Sequence, residues 1–158
     1  MEDLSTSTLF AFLHHICAFT LVAALAIEFA LIRGELTPSS ARRLQVTDTI
    51  YGIVAVALLV IALLRVFLFE KGAAYYFHSH AFLSHAFLTK LSLFVIVGLV
   101  SIVPTMEFLS WRGALRATQV PVMEARKRRL VRTIIHGELA SIVIIVLCAP
   151  IMARGGWV

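Results

Sequence analysis

Residues 4–27 read LSTSTLFAFLHHICAFTLVAALAI and contain no Asp, Glu, Lys or Arg. A backbone that crosses a bilayer must satisfy its own hydrogen bonds, and a helix needs about 20 apolar residues to cross. This stretch is long enough for one crossing, and Arg33-Gly34 follows it. The sequence therefore predicts a membrane-spanning helix over residues 8–32.

Three further apolar segments predict three more spans. The second covers residues 46–69, with Asp48 and Arg65 near its two ends. The third covers residues 80–111, which is longer than a bilayer requires, so a tilt or a kink at Pro104 is expected. The fourth covers residues 130–153. We therefore expect an all-α fold, an integral membrane four-helix bundle, built as a single transmembrane domain over residues 1–158.

The composition of the chain agrees with a membrane protein. Of its 158 residues, 60% are hydrophobic and 15% are charged, and the mean hydropathy is +0.94. An ordinary soluble domain has roughly 25% charged residues. Two cysteines, Cys17 and Cys148, lie inside apolar runs and are expected to be packing residues. The length excludes a separate soluble catalytic domain.

The basic residues predict the orientation of the bundle. Most of the 14 Lys and Arg residues lie between the first and second spans or between the third and fourth. The positive-inside rule then places both termini on the outer, periplasmic side of a bacterial inner membrane. Because the first segment follows Glu2 and Asp3 and is too long for a signal peptide, we expect it to be retained. The run Arg126–Arg132 is interpreted as a cytoplasmic anchor, with no nucleic acid as partner. The cations assigned to the inner face are Arg33, Arg42, Arg43, Arg112, Arg116, Arg126, Lys127, Arg128, Arg129 and Arg132.

The expected outer half of the bundle is rich in imidazoles. It collects His14, His15, Arg65, His85 and Lys90, with no carboxylate among them. Ionisable groups inside a membrane are costly and therefore become functional candidates. Neutral imidazoles suit haem iron, copper or zinc, and the two cations could pair with haem propionates. We therefore take the three histidines as candidate cofactor ligands and the two cations as candidate catalytic residues.

Two other functions fit the same outer residues. A copper- or zinc-binding or transport module could use His78 and His80 together with the three histidines named above. Transport would favour a homo-oligomer, because four helices enclose little room. A non-catalytic assembly subunit, in which each histidine simply bonds water or backbone, is the remaining alternative.

The expected inner half combines acids with one histidine. Its members are Glu28, Asp48, Tyr51, Glu107, His136 and Glu138. Glu28, Glu107 and His136 could jointly bind a divalent metal or relay protons. A network that neutralises charges near the helix ends is the alternative, and Asp48 also suits a first-turn position. The candidate metal ligands of the whole chain are His14, His85 and His136.

Several short motifs resemble a known family. Leu13-His14-His15, Asp48-Thr49-Ile50-Tyr51-Gly52 and Ser101-Ile102-Val103-Pro104-Thr105 are among them. Together with motifs near the other span ends, they resemble small bacterial inner-membrane proteins of unknown function. The resemblance covers nearly the whole chain and implies a four-helix membrane protein.

A more distant similarity is to the HemJ-type protoporphyrinogen oxidases, which are four-helix membrane proteins that bind b-type haem. Leu13-His14, Arg65 and Lys90-Leu91 match positions of that family. The resemblance implies that His14 is an axial haem ligand and that Lys90 is a partner of haem or porphyrin. We therefore expect haem-dependent electron transfer, or oxidation of a quinone or porphyrin-like molecule that enters from the lipid bilayer.

Overall fold

The computed structural model describes the backbone of residues 2–69 and 85–153. Side chains are described for residues 6–65, 67, 68, 89–148, 150 and 151. This part of the chain is helical throughout apart from short connections, and it contains no strand. Its elements, in chain order, are α1 (Glu2–Arg33), α2 (Pro38–Leu64), a π-helical turn (Arg65–Phe69), α3 (His85–Val100), α4 (Ile102–Ser110), α5 (Arg112–Arg116) and α6 (Ala125–Ala153).

Four stretches are long and apolar enough to cross a membrane. They are Thr6–Arg33, Pro38–Leu64, Thr89–Arg116 and Ala125–Cys148. Each contains a window of high hydropathy with few charged residues, as a spanning helix requires. The prediction of an all-α, four-helix membrane bundle is therefore confirmed.

The second helix begins at Pro38, eight residues before the predicted start at residue 46. Pro38-Ser39-Ser40 forms the first turn of α2. Thr37 caps it: the Ser40 amide donates to Thr37 Oγ1 (3.1 Å), and the Thr37 amide donates to Ser40 Oγ (2.8 Å). Proline suits the first helical position, where its missing N–H has no helical partner to lose.

The third predicted span, 80–111, contains two helices, α3 and α4, and the short helix α5 follows it. α3 ends at Val100 and α4 begins at Ile102, so the break comes just before Pro104. Proline has no N–H to donate to the carbonyl four residues earlier, and its ring crowds that carbonyl, which is the physical reason for a break here. A second break at Trp111 separates α4 from α5. Residues 80–84 of the predicted span lie outside the described residues.

The first and last helices, α1 and α6, also start earlier than predicted. α1 begins at Glu2 rather than residue 8, and α6 begins at Ala125 rather than residue 130. The first turns of α6 are basic, and Lys and Arg are good helix formers, so helix extends beyond the apolar segment.

Neighbouring spans are antiparallel. The Phe29 ring stacks on His136 with centroids 5.6 Å apart, and Thr105 bonds Asp48, so the end of α1 meets the beginning of α6, and α4 meets the beginning of α2. We call the half of the bundle where α1 ends and α2 and α6 begin the loop half. The half where α1 begins and α6 ends is the terminal half.

The core is a narrow line of side chains between the helices. Leu25, Ile32, Leu44, Phe108 and Ile135 are fully buried, and they come from all four spans. Most other large apolar side chains of the spans face outward, where lipid would cover them.

Arg128 joins the beginning of α6 to the end of α1. Its Nε and Nη2 donate to the Ile32 carbonyl (3.2 Å each), and Nη2 also donates to the Gly34 carbonyl. The last carbonyls of a helix have no helical donor, and a cation there is favoured by the helix dipole. Arg128 therefore links α6 to the end of α1, in addition to any effect of its charge on the orientation of the bundle in the membrane.

Candidate functional site

Three buried carboxyl groups from three spans lie inside the loop half. Glu28 lies on α1, Asp48 on α2 and Glu138 on α6, with exposed fractions of 1%, 5% and 3%. Glu28 interacts electrostatically with both of the others, and Glu138 with Asp48. We call Glu28, Asp48 and Glu138 the carboxyl cluster.

Hydroxyl groups complete the surroundings of the carboxyl cluster. Thr105 Oγ1, from α4, donates to Asp48 Oδ1 at 2.8 Å. The buried Tyr51 hydroxyl interacts electrostatically with all three carboxyl groups, and the Ser101 hydroxyl near it donates to the Gly98 carbonyl at 2.9 Å. Ser101 lies at the break between α3 and α4, so the third span contributes hydroxyls where the other spans contribute acids.

Two atoms of the carboxyl cluster lack a hydrogen-bond partner. Glu28 Oε1 and Glu138 Oε1 are buried, and no described residue bonds to either. A buried polar atom without a partner is costly, and the cost is largest in a membrane interior. Such atoms are rare in folded proteins and require an explanation.

The acids occupy positions that would otherwise belong to the apolar core. Helical spacing of three, four or seven residues keeps side chains on one face. Each acid follows that spacing within the buried side of its helix, so folding alone brings the three together. The three faces are Leu21, Leu25, Glu28 and Ile32 on α1, Leu44, Asp48, Tyr51 and Leu58 on α2, and Val131, Ile135, Glu138 and Ile142 on α6.

The structure does not group Glu28, Glu107 and His136, which the sequence suggested as a joint site. Glu107 instead pairs with Lys127, with Oε2 and Nζ 2.7 Å apart, and its Oε1 accepts from Trp111 Nε1 at 3.2 Å. His136 is exposed and stacks on Phe29. In the described residues, no three His, Cys, Asp or Glu side chains are arranged to hold a metal ion.

In the terminal half, three polar residues continue the buried faces of their helices. His14 lies seven residues before Leu21, Arg65 seven after Leu58 and Lys90 seven before Val97, and each is half-buried. Seven residues are close to two helical turns, so each shares a face with a buried residue. All three polar side chains therefore belong to bundle-facing positions.

The same three residues lie at one depth. His14 is 14 residues from Glu28, Lys90 is 15 from Thr105, and Arg65 is 17 from Asp48. At 1.5 Å per residue they lie about 21–26 Å from the carboxyl cluster. His14, Arg65 and Lys90 therefore form a second polar layer, which we call the terminal layer.

The two adjacent histidines, His14 and His15, lie in different environments. His15 is exposed, and its Nδ1 lies 2.6 Å from the Ala11 carbonyl, within its own helix. Its ring meets that of His14 edge-on, with centroids 6.0 Å apart. Of the pair, only His14 continues the buried face, a distinction that the sequence left open.

Of the other histidines, His136 is described and lies far from His14. His136 stacks on Phe29, which is about 22 Å along α1 from His14, so these two candidate metal ligands lie in different halves. His85 is the first residue of α3, and its side chain lies outside the described residues. His78 and His80 also lie outside them.

Four apolar helices with ionisable groups at two interior depths define a multi-pass helical membrane protein. Residues 6–156 match the family described as "Predicted membrane protein (DUF2214)", and the chain belongs to that family. No curated protein and no solved structure matches the chain.

Proposed function

We propose that this protein binds b-type haem between its helices in the terminal half and acts in electron transfer or in the oxidation of a lipophilic small molecule. The observation that supports the proposal is the terminal layer, in which one histidine and two cations occupy bundle-facing positions at one depth. An imidazole can ligate haem iron, and cations can pair with the haem propionates. Four-helix bundles build cofactor sites in this way, from side chains of facing helices.

Each residue of the terminal layer has a separate role in this proposal. His14 would ligate the haem iron, and Arg65 and Lys90 would pair with the propionate carboxylates or with an anionic group of the substrate. The haem, when bound, supplies one-electron redox chemistry. A quinone or porphyrin-like substrate reaches the layer from the bilayer, because the outer faces of the helices are apolar.

Replacing His14 with alanine is expected to abolish the Soret band of protein purified from haem-replete cells. His15→Ala is the matched control and should retain the band, because His15 is exposed and bonds within its own helix. Absorption spectra of the detergent-purified proteins measure both. A wild-type protein without a Soret band, or loss of the band in the His15 variant only, contradicts the proposal.

Elemental analysis of the same samples separates the alternatives. Stoichiometric copper or zinc without iron would indicate the metal-binding or transport module. A sample that contains neither iron nor another metal would indicate a non-catalytic subunit. In that case, replacement of His14, Arg65 and Lys90 should leave the function unchanged.

We also propose that the loop half of the bundle faces the cytoplasm of a bacterial cell, since the basic residues collect there. Val122, in the connection before α6, is 96% exposed. We expect a Val122→Cys variant to react with a membrane-impermeant maleimide in inverted vesicles but not in intact spheroplasts. The wild type, whose cysteines are buried or half-buried within spans, is the control. Labelling in spheroplasts would reverse the orientation.

A further inference from the structure

We propose that the carboxyl cluster is a proton-binding site inside the membrane, at which Glu28 and Glu138 take up and release protons. The site is separate from the proposed haem layer, from which it lies about 21–26 Å away along the helices. Interior acids of this kind mark proton pathways in membrane proteins.

Glu28 and Glu138 are buried without hydrogen-bond partners for one oxygen each. Both are more than nine-tenths buried, and Oε1 of each has no hydrogen-bond partner among the described residues. An ionised carboxylate without a donor or a counter-charge is strongly disfavoured away from water. A proton on the oxygen removes the charge and with it most of the cost of burial.

Among the described residues, the titratable groups that face Glu28 carry no positive charge. They are Asp48 and Tyr51 from α2 and Glu138 from α6. Thr105 adds a hydroxyl from α4, which donates to Asp48. Three negative charges placed together would repel one another, so protons must occupy part of the cluster.

Three cations of the loop half have partners outside the carboxyl cluster. Lys127 pairs with Glu107, Arg128 binds carbonyls at the end of α1, and Arg33 lies over the Phe29 ring at 4.9 Å from its centroid. The exposed His136 ring stacks on that same phenylalanine. Within the described structure, no cation forms an ion pair with the carboxyl cluster, so protons are left to balance its charge.

The geometry favours a proton over a metal ion. Hard cations take six or more oxygen ligands, whereas the described residues contain no group of three arranged for a metal. The Thr105 hydrogen bond stabilises one charge on Asp48 while the glutamates hold protons. Uptake converts a carboxylate and a hydronium ion into a carboxylic acid and water, and release reverses it with no change of oxidation state.

Infrared spectroscopy of the full-length protein in lipid nanodiscs tests the proposal. Exposed Asp and Glu are ionised at pH 7, so any band of protonated carboxyl groups at that pH reports unusual acids. We expect the wild type to show this band, with a downshift in D₂O, and the Glu28→Gln/Glu138→Gln variant to lose most of it. Glu35→Gln, at an exposed acid outside the cluster, should retain the full band.

Several outcomes would overturn the proposal. These are absence of the band from the wild type at pH 7, an unchanged band in the double variant, and saturable loss of the band on addition of Na⁺, which would indicate a monovalent cation site. Circular dichroism checks that each variant is helical. If the double variant does not fold, each single glutamine variant must lose part of the band. His14→Ala should keep it, so failure of the haem proposal and failure of this one are distinguishable.

Discussion

Replacing Phe108 with alanine is expected to lower the free energy of unfolding by about 3–5 kcal/mol. Phe108 is fully buried, its ring lies 5.0 Å from that of Trp111, and its carbonyl accepts a hydrogen bond from the Gln45 side chain. Truncation removes the ring contacts and leaves a cavity at the point where α4 packs against α2. An SDS titration of the detergent-purified protein, followed by far-UV circular dichroism, measures the change.

Phe12→Ala on α1 is the matched control for this substitution. Phe12 is 60% exposed on the face that lipid would cover, so its loss should change the free energy by less than about 0.5 kcal/mol. Equal effects of the two substitutions would mean that Phe108 does not belong to a packed core and would contradict the described packing of the loop half.

Replacing Glu28 with leucine is expected to raise the free energy of unfolding by about 1–3 kcal/mol. The substitution removes a buried oxygen that has no partner among the described residues and places an apolar side chain between Leu25 and Ile32. The same variant should lose the proton that we assign to Glu28. Gain of stability with loss of the site is the usual relation for a residue that is kept for function.

Asp48→Leu is the comparison for the Glu28 substitution. It also removes a buried acid, but it deletes the hydrogen bond that Thr105 donates, so no comparable gain is expected. The same SDS titration measures both variants. A Glu28→Leu protein that unfolds more easily than the wild type would indicate that the carboxyl group stabilises the bundle, and it would remove the argument that this acid is an unsatisfied group.

The terminal layer and the carboxyl cluster contain different kinds of ionisable group within one small bundle. The terminal layer contains an imidazole and two cations, and the carboxyl cluster contains three acids. Redox reactions of quinones and porphyrins exchange protons as well as electrons. A proton site in the other half of the bundle is therefore chemically compatible with the haem proposal, although neither depends on the other.

The four spans were predictable because their physical cause is local. Apolar runs of about 20 residues can cross a bilayer only as helices, whatever surrounds them. The helix starts at the loop end were harder to predict. Pro38 begins α2 through its contacts with Thr37 and Ser40, and the basic first turns of α6 are helical without being apolar.

The tertiary structure was needed to show which residues belong to each site. In a soluble helix, apolar periodicity marks the buried face, but these spans are apolar on every side because lipid covers the outer one. The sequence could therefore place Glu28, Asp48 and Glu138 at similar depths without showing that they face one another, or that Glu107 turns to Lys127. It also left His14 and His15 equivalent. By itself it determined the number of spans and the depth of each ionisable group, since both depend on chain length and hydropathy. Which side chains meet was decided by helix packing, because rotation of a helix about its axis leaves its hydropathy unchanged.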